Sequence, residues 1–353
     1  MPKHILIINN GLAGGGIERA SVTLANYFNT MGYLVSVLAL YKSEKFFTLN
    51  DGITFIEPDF SRENNNKYIY LLKIISFIRK SVKKINADTI LSFGEWTNPF
   101  VILALKNSNC RLFITDRMSP LAKLPFISES LRKMYYKKAS GIIAQSNFAK
   151  SVLQKKTKAK NIYVIYNPVN IFEKIECPVK NRIVSVGRLE EVKGHRFLIQ
   201  AFVKVKNKDW DLSIVGDGSL KNELIALTHS LGIKDRVFFH GHLTDFRLQL
   251  SEAQIFVLPS LSEGFPNALI EAMSVPLACI ASDTFHGHNE IVINNENGIL
   301  VEPGNVEQLA DALNQLILDD HLRVELSKNA KKVREDLKLE IIAQKYLDII
   351  LNK

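Results

Sequence analysis

Short apolar runs alternate with longer amphipathic stretches along the whole chain. In the first half, the runs at 4–9, 34–40, 53–56, 88–93, 111–115, 140–144 and 162–166 read as strands. Between them, 16–31, 66–85, 97–106, 128–138 and 147–155 carry helical spacing. Alternation of this kind predicts an α/β fold, a parallel sheet wrapped by helices. Asn167-Pro168-Val169-Asn170 reads as a turn and linker. The pattern then restarts, with strands expected at 181–186, 211–215, 236–239, 255–258, 277–281 and 299–301. Helices are expected near 193–207, 218–231, 245–251, 267–274, 288–293, 305–318 and 320–333, and a last one spans about 338–351.

The two passes predict two Rossmann-like domains, 1–167 and 168–337, facing each other across a cleft, with the final helix (about 338–353) packed back on the first. No internal repeat, low-complexity tract or disordered linker stands out, and Asn64-Asn65-Asn66 is a polar loop. Hydrophobic residues make up 46% of the 353, ample for two cores. No apolar run reaches the roughly 18 residues of a membrane span. Met1-Pro2-Lys3-His4 leads straight into a strand with no signal-peptide pattern. The three cysteines, Cys110, Cys177 and Cys279, are widely spaced and odd in number, which supports neither a disulfide framework nor a zinc site. A cytoplasmic protein is the expectation.

Charge changes the picture. Residues 1–167 hold 24 Lys+Arg against 10 Asp+Glu, whereas 168–353 hold 21 against 26. A basic half suits nucleic acid, an anionic membrane surface or an acidic substrate, and a solubilising surface is the competing explanation.

The chemistry concentrates in the second half. Glu263 and Glu271 are separated by seven residues in Glu-Gly-Phe-Pro-Asn-Ala-Leu-Ile-Glu, after the buried-strand pattern Ile255-Phe256-Val257-Leu258. Pro266 fits the first turn of a helix, so Glu263 lies in the loop before it and Glu271 about one turn inside. Glu271 could there accept hydrogen bonds from a diol such as a ribose, and the free helix amides would attract phosphate. Arg188 and Lys193 share a loop after the strand ending Val184-Ser185-Val186-Gly187, where a guanidinium and an ammonium suit a diphosphate. Gly216-Asp217-Gly218 and His240-Gly241-His242-Leu243 end two further strands and could bracket a base through backbone groups; each alone is an ordinary turn. His240 and His242 lack the cysteines or paired carboxylates of a metal site, and no metal is expected. His286-Gly287-His288-Asn289-Glu290 is better suited to approaching a sugar or phosphate. All these segments fall at strand carboxyl ends of one domain, where open α/β sheets bind ligands. In the first half, Gly14-Gly15-Gly16-Ile17-Glu18 follows the first strand and opens a helix. It has neither the Gly-x-Gly-x-x-Gly spacing of a dinucleotide site, which weakens a dehydrogenase reading, nor the Gly-Lys-Ser/Thr of a P-loop.

In order, Gly-Arg-Leu…Lys-Gly, Val-Gly-Asp-Gly, Pro-Ser…Glu-Gly-Phe-Pro-Asn-Ala-Leu-Ile-Glu-Ala-Met and Asn-Gly-Ile-Leu-Val…Pro-Gly-Asn resemble glycosyltransferase family four over most of 181–310. The Gly-Gly-Gly-Ile-Glu-Arg loop extends the resemblance to the first half. The resemblance implies the GT-B architecture and a retaining glycosyltransferase without cofactor or metal. It implies that Arg188 and Lys193 hold the donor diphosphate, and that Glu271 binds the nucleotide ribose. It also implies that Glu263, with the amides around Gly264 and Phe265, lies against the donor sugar, and Pro266 and Asn267 are further substrate-binding candidates. Gly216, Gly241 and Leu243 are the further donor-side candidates, and Gly15, Gly16 and Glu18 those of the first half. Many members carry a cleft histidine near the end of a first-domain strand. Here that region reads Phe113-Ile114-Thr115-Asp116-Arg117-Met118-Ser119-Pro120, without one. Asp116, Arg117 and Glu95 are the candidates for its place. An acid there would orient or deprotonate an acceptor hydroxyl, and a structural salt bridge is an equally fair reading.

The resemblance assigns the acceptor to the first domain and the nucleotide-sugar donor, expected to be UDP-linked, to the second. The expected acceptor is a lipid-linked saccharide or a lipopolysaccharide or capsule precursor. Lys73, Arg79, Lys80, Lys83 and Lys84 accompany Tyr68, Tyr70, Leu72, Ile75 and Phe77, and Arg132-Lys133-Met134-Tyr135-Tyr136-Lys137-Lys138 is a second basic–aromatic cluster. Each such cation near an anionic bilayer is worth about 1 kcal/mol, so peripheral attachment to the inner face of the cell membrane is expected, against the alternative that the apolar positions simply face the core. An epimerase of the same architecture and a nucleic-acid-binding protein are the other readings. The second has no recognition module and leaves the two-glutamate segment unexplained, so no nucleic acid is expected.

Overall fold

The computed structural model describes residues 2–61, 66–118, 125–168, 171–284 and 290–351. The chain forms two compact units, Met1–Pro168 with Leu339–Lys353, and Val169–Lys338.

In the first unit β1 (His4–Asn9), β2 (Leu34–Ala39), β3 (Thr54–Ile56), β4 (Thr89–Phe93), β5 (Arg111–Asp116), β6 (Gly141–Ala144) and β7 (Ile162–Val164) make a sheet in the order β3-β2-β1-β4-β5-β6-β7. Every pairing is parallel, with Ile7 of β1 opposite Val37 on one side and Leu91 on the other. Ile5, Leu6, Ile7 and Ile8 are wholly buried, because helices cover both faces of a parallel sheet. The helices are α1 (Gly16–Thr30), α2 (Lys67–Ile85), α3 (Asn98–Ala104), α4 (Phe126–Tyr135) and α5 (Asn147–Thr157). Right-handed crossovers place α2 to α5 side by side on one face and α1 on the other.

The second unit repeats the plan. Strands β8 (Arg182–Val186), β9 (Asp211–Val215), β10 (Val237–Phe239), β11 (Ile255–Leu258), β12 (Ala278–Ser282) and β13 (Ile299–Val301) are parallel in the order β10-β9-β8-β11-β12-β13. Its helices are α6 (His195–Val203), α7 (Lys221–Ser230), α8 (Arg247–Glu252), α9 (Asn267–Ser274), α10 (Val306–Leu318), α11 (Asp320–Ala330) and α12 (Val333–Asp336). The last helix, α13 (Leu339–Leu351), belongs to the first unit and packs beside α1 and β4. There Tyr346 is fully buried, and the Leu351 carbonyl accepts from Arg111 at 3.3 Å. Strand order reverses between β1 and β4 and again between β8 and β11, and each reversal opens a crevice at the strand carboxyl ends.

The structure departs from the expected element ends where backbone geometry intervenes. The helix expected from 193 begins at His195, because Gly194 has φ +68° and separates it from a 3-10 turn, Glu191–Lys193. The segment expected as 128–138 is α4 followed by a 3-10 turn, Tyr136–Lys138, and 320–333 divides into α11 and the start of α12. Pro266 stands at the N-cap of α9 instead of inside its first turn. Residues 290–293 carry no α-helix, and 285–289, with the His286-Gly287-His288-Asn289 candidate, lie outside the described residues.

Candidate active site

The site in the second unit is built on the β8/β11 reversal. The loops leaving β8, β9 and β10 are joined by backbone hydrogen bonds. The Gly187 amide donates to Val215, the Leu189 amide to Asp217 and the Gly216 amide to Gly241, at 2.8–2.9 Å. These contacts explain the glycine at 216: φ is +143°, and a Cβ would stand 1.9 Å from the Gly187 carbonyl oxygen. Gly241 and the half-buried Leu243 continue this edge. Glu190 serves the same scaffold, its carboxylate accepting from the Ser219 amide at 3.1 Å and the Ser219 hydroxyl at 2.8 Å.

From the other side of the reversal comes the β11 loop. The Leu261 amide donates to the Val192 carbonyl at 2.8 Å, and a Cβ on Gly194 would lie 2.0 Å from the Pro259 carbonyl oxygen. This close backbone approach brings the predicted charges together. Lys193 Nζ sits 2.6 Å from Glu263 Oε1, with 21% and 9% of the two side chains exposed. The Ser260 hydroxyl donates to the same carboxylate oxygen at 2.7 Å. Arg188, at the mouth of the β8 loop, is exposed. Gly264 is half-buried, Phe265 and Pro266 are buried, and Asn267 begins α9, its amide donating to the Phe265 carbonyl at 3.0 Å. Glu271 is buried on that helix, one turn further on.

His195, the first residue of α6, adds a group that the sequence reading passed over. It is 3% exposed, and neither ring nitrogen has a hydrogen-bond partner. Burial, and then the Lys193 charge, lower its pKa to about 4, so the ring is uncharged near neutrality. The signal was available, since His195 directly follows Lys193-Gly194 and precedes an apolar helix. Ser260 was visible only as part of the Pro-Ser pair.

The first-unit candidates fare differently. Gly15 is the N-cap of α1, with the Glu18 carboxylate folded against it, and Gly16 faces open space. The Glu95 carboxylate is buried at the end of β4 and accepts from the amides of Arg117 and, at 2.9 Å, Met118. Burial and the neighbouring Asp116 charge push its pKa up to about 7. The Arg117 guanidinium donates to Asn167 Oδ1 and, at 2.5 Å, to the Tyr346 hydroxyl, and stacks 5.0 Å from the Phe93 ring centre. Asp116 forms the salt bridge weighed for it. It is buried 3.0 Å from Arg132 Nη2, and its pKa is raised by burial despite that cation. Glu95 ties the end of β4 to the residues after β5, Asp116 ties β5 to α4, and Arg117 ties the end of β5 to α13.

Of the two histidines weighed as ligands, His240 pairs with the Ser213 hydroxyl at 2.6 Å and His242 is exposed. Among the described residues, no helix is long and apolar enough to cross a membrane.

Comparison with known proteins agrees with this geometry. Residues 170–333 match the family described as glycosyl transferases group 1, and 14–172 match glycosyltransferase family 4. An uncharacterized glycosyltransferase of Haemophilus influenzae is 30% identical, covering 99% of this chain and 100% of its own. A Campylobacter jejuni relative is 27% identical over 96% of both chains. It is the GalNAc-alpha-(1->4)-GalNAc-alpha-(1->3)-diNAcBac-PP-undecaprenol alpha-1,4-N-acetyl-D-galactosaminyltransferase. In fold, Anabaena HepE, solved in complex with UDP and glucose, superimposes with a TM-score of 0.85 over 99% of both chains at 18% identity. Two parallel-sheet Rossmann-like units of GT-B type, with a relative of this identity over the full chain, place the protein in glycosyltransferase family 4.

Proposed function

We propose that the protein is a retaining, metal-independent glycosyltransferase that moves a hexose or N-acetylhexosamine from a UDP-sugar to a lipid-linked saccharide or lipopolysaccharide-type precursor. The observation that carries this reading is the Lys193–Glu263 pair at the β8/β11 reversal, with Arg188 on the same loop. On this reading the second unit takes the donor. Arg188, Lys193 and the positive end of the α9 dipole, which begins at Asn267, stabilise the charge that grows on the departing diphosphate. Glu263, backed by Gly264, Phe265 and Pro266, orients the donor sugar, and Glu271 accepts from the ribose hydroxyls. Gly216, Gly241 and Leu243 flank the base. The acceptor hydroxyl attacks from the face the nucleotide leaves, and a donor phosphate oxygen takes its proton. The first unit presents the acceptor, with Gly15, Gly16 and Glu18 at the carboxyl end of β1 as its contacts.

The acceptor class rests on the Campylobacter relative, whose substrate is carried on a polyprenyl diphosphate. It is supported by the first unit's surface. In α2 the core reading holds for Ile74, Ile75, Ile78 and Val82, yet Tyr68 and Leu72 are 72% and 67% exposed. Phe126 in α4 is 87% exposed, with Ile127 and Met134 also open. Both helices lead into parallel strands on the same face, so their first turns lie at one end of the unit. The exposed Lys73, Lys80, Lys133, Lys137 and Lys138 lie along the same two helices and the turn after α4. Apolar tips with cations behind them suit an anionic bilayer, which gives a cytoplasmic protein held peripherally on the inner membrane face.

A thermal-shift panel of UDP-, GDP- and ADP-sugars, followed by NMR of the product's anomeric proton, tests the enzyme reading. UDP-sugar stabilisation and retained configuration support it. Conversion of the donor sugar without an acceptor would favour an epimerase.

A further inference from the structure

Among the described residues of the second unit, His195 is a buried polar side chain whose placement the scaffold does not explain. His195 is 3% exposed, and both ring nitrogens lack a partner. A buried orphan donor is costly, and an apolar residue of the same shape would remove the cost. Around His195, Glu263 is satisfied by Lys193 and Ser260, Glu190 by Ser219, and Arg188 by exposure, while the small Ser185 hydroxyl of β8 is also buried without a partner. The imidazole is also aimed. A Cβ added to Gly187 would meet His195 Cε1 at 3.5 Å and Nε2 at 3.9 Å, with Lys193 Cδ at 3.8 Å. The ring edge therefore lies over the last residue before Arg188, beside the Lys193 stem, at the amino end of the nine-residue helix α6. Gly194, at φ +68° against the Pro259 carbonyl, fixes where that helix begins and hence where the ring stands.

We infer that His195 is a donor-positioning residue whose imidazole N–H gives a hydrogen bond to a diphosphate oxygen of the bound nucleotide sugar. This rests on the donor-site reading above and adds a third, uncharged contact to the two cations. Its low pKa suits the role: at neutral pH the ring offers an N–H without a further positive charge beside Lys193. A directed donor fixes which phosphate oxygen faces the ring, adding to the orientation set by the Arg188 fork. The α6 amino terminus behind it adds favourable potential for the same anion.

The test is calorimetry with UDP on the full-length protein, together with ¹⁵N spectra of the histidine rings. His195→Phe keeps the volume but removes the N–H, and His195→Gln keeps a donor. The inference expects His195→Phe to weaken UDP by about ten- to a hundredfold, the range for a hydrogen bond to a charged group. The unliganded melting temperature should be unchanged or higher, the donor KM should rise more than kcat falls, and His195→Gln should restore much of the affinity. In the wild-type spectra, UDP should move the His195 ring nitrogens. Equal UDP affinity in wild type and His195→Phe overturns the inference, as does a His195 ring unmoved at saturating UDP. The second measurement decides even if the variant does not fold. A wild-type protein that binds no nucleoside diphosphate at all would instead remove the donor-site reading itself.

Discussion

Glu263→Gln separates two roles that the proposed site gives to one carboxylate. In the structure Glu263 neutralises Lys193 at 2.6 Å, so a diphosphate arriving at Lys193 must first compete with it. At that distance two unit charges attract by about 6 kcal/mol at an effective dielectric of 20, and desolvation cancels most of this. Exposed pairs net about 0–1 kcal/mol, while breaking a fully buried one costs about 3–5. With 21% of Lys193 and 9% of Glu263 exposed, the pair lies between these limits, at about 1–2 kcal/mol. Glutamine keeps an acceptor for the Ser260 hydroxyl but gives up the charge. The unliganded variant should therefore lose about 1–2 kcal/mol of stability, and the same increment should reappear as UDP binding some 5–30-fold tighter. Sugar transfer should fall by about a hundredfold or more, because the carboxylate facing the donor sugar is gone. Titration calorimetry with UDP, denaturant melts without ligand and a transfer assay measure the three quantities. Lys193→Met, alone and combined with Glu263→Gln, closes a double-mutant cycle for the coupling. UDP bound equally or more weakly by Glu263→Gln, with turnover intact, refutes the competition and the sugar-side role together.

Other outcomes follow from single contacts. Gly194→Ala forces a side chain into φ +68° and to 2.0 Å from the Pro259 carbonyl oxygen, whereas Gly232, at φ +70°, faces open space. Gly232→Ala should cost about 1–2 kcal/mol for conformation alone and Gly194→Ala well above that, with loss of UDP binding, as read by denaturant melts. Glu95 has its pKa raised from 4.5 to about 7, so the folded chain binds this proton more tightly than the unfolded chain does. Its contribution is present below pH 4.5 and is lost as pH rises through about 7. Glu95→Gln should flatten that part of the stability–pH profile, and a wild-type profile without the decline would count against the burial argument. Phe126→Glu combined with Leu72→Glu should abolish salt-sensitive sedimentation with phosphatidylglycerol vesicles while leaving UDP binding intact. Equal sedimentation of the variant and wild type would exclude these helix tips as the contact.

The sequence carries the two units unequally, and the reason is where each site's partners come from. In the second unit, Arg188, Lys193 and Glu263 occupy loops leaving β8 and β11, which the strand order makes neighbours. Consecutive residues at two strand ends suffice to build the charge pair, so a linear reading reaches it. The glycines at 194 and 216 are legible for the same reason, since each permits a backbone approach within one sheet edge. In the first unit, the surroundings of the flagged residues come from far along the chain. Arg117 meets Asn167 fifty residues on and Tyr346 229 residues on, and Asp116 meets Arg132 from α4. No local pattern reveals that α13 returns to close over β4 and β5. Read locally, Asp116 and Glu95 are acids at a strand end; in the fold Asp116 is buried against Arg132 of α4, Glu95 accepts from the amides after β5, and Arg117 beside them is held by α13. The same reasoning separates α2 from α4 as membrane candidates. Helical spacing in α2 assigns Ile74, Ile75, Ile78 and Val82 to the core and leaves Leu72 off that face, but it puts Tyr68, seven residues before Ile75, on the core face, and only the structure shows it exposed in the first turn. In α4 the exposed Phe126 and Ile127 are adjacent residues of the first turn, where periodicity over so few positions says nothing about which way they face.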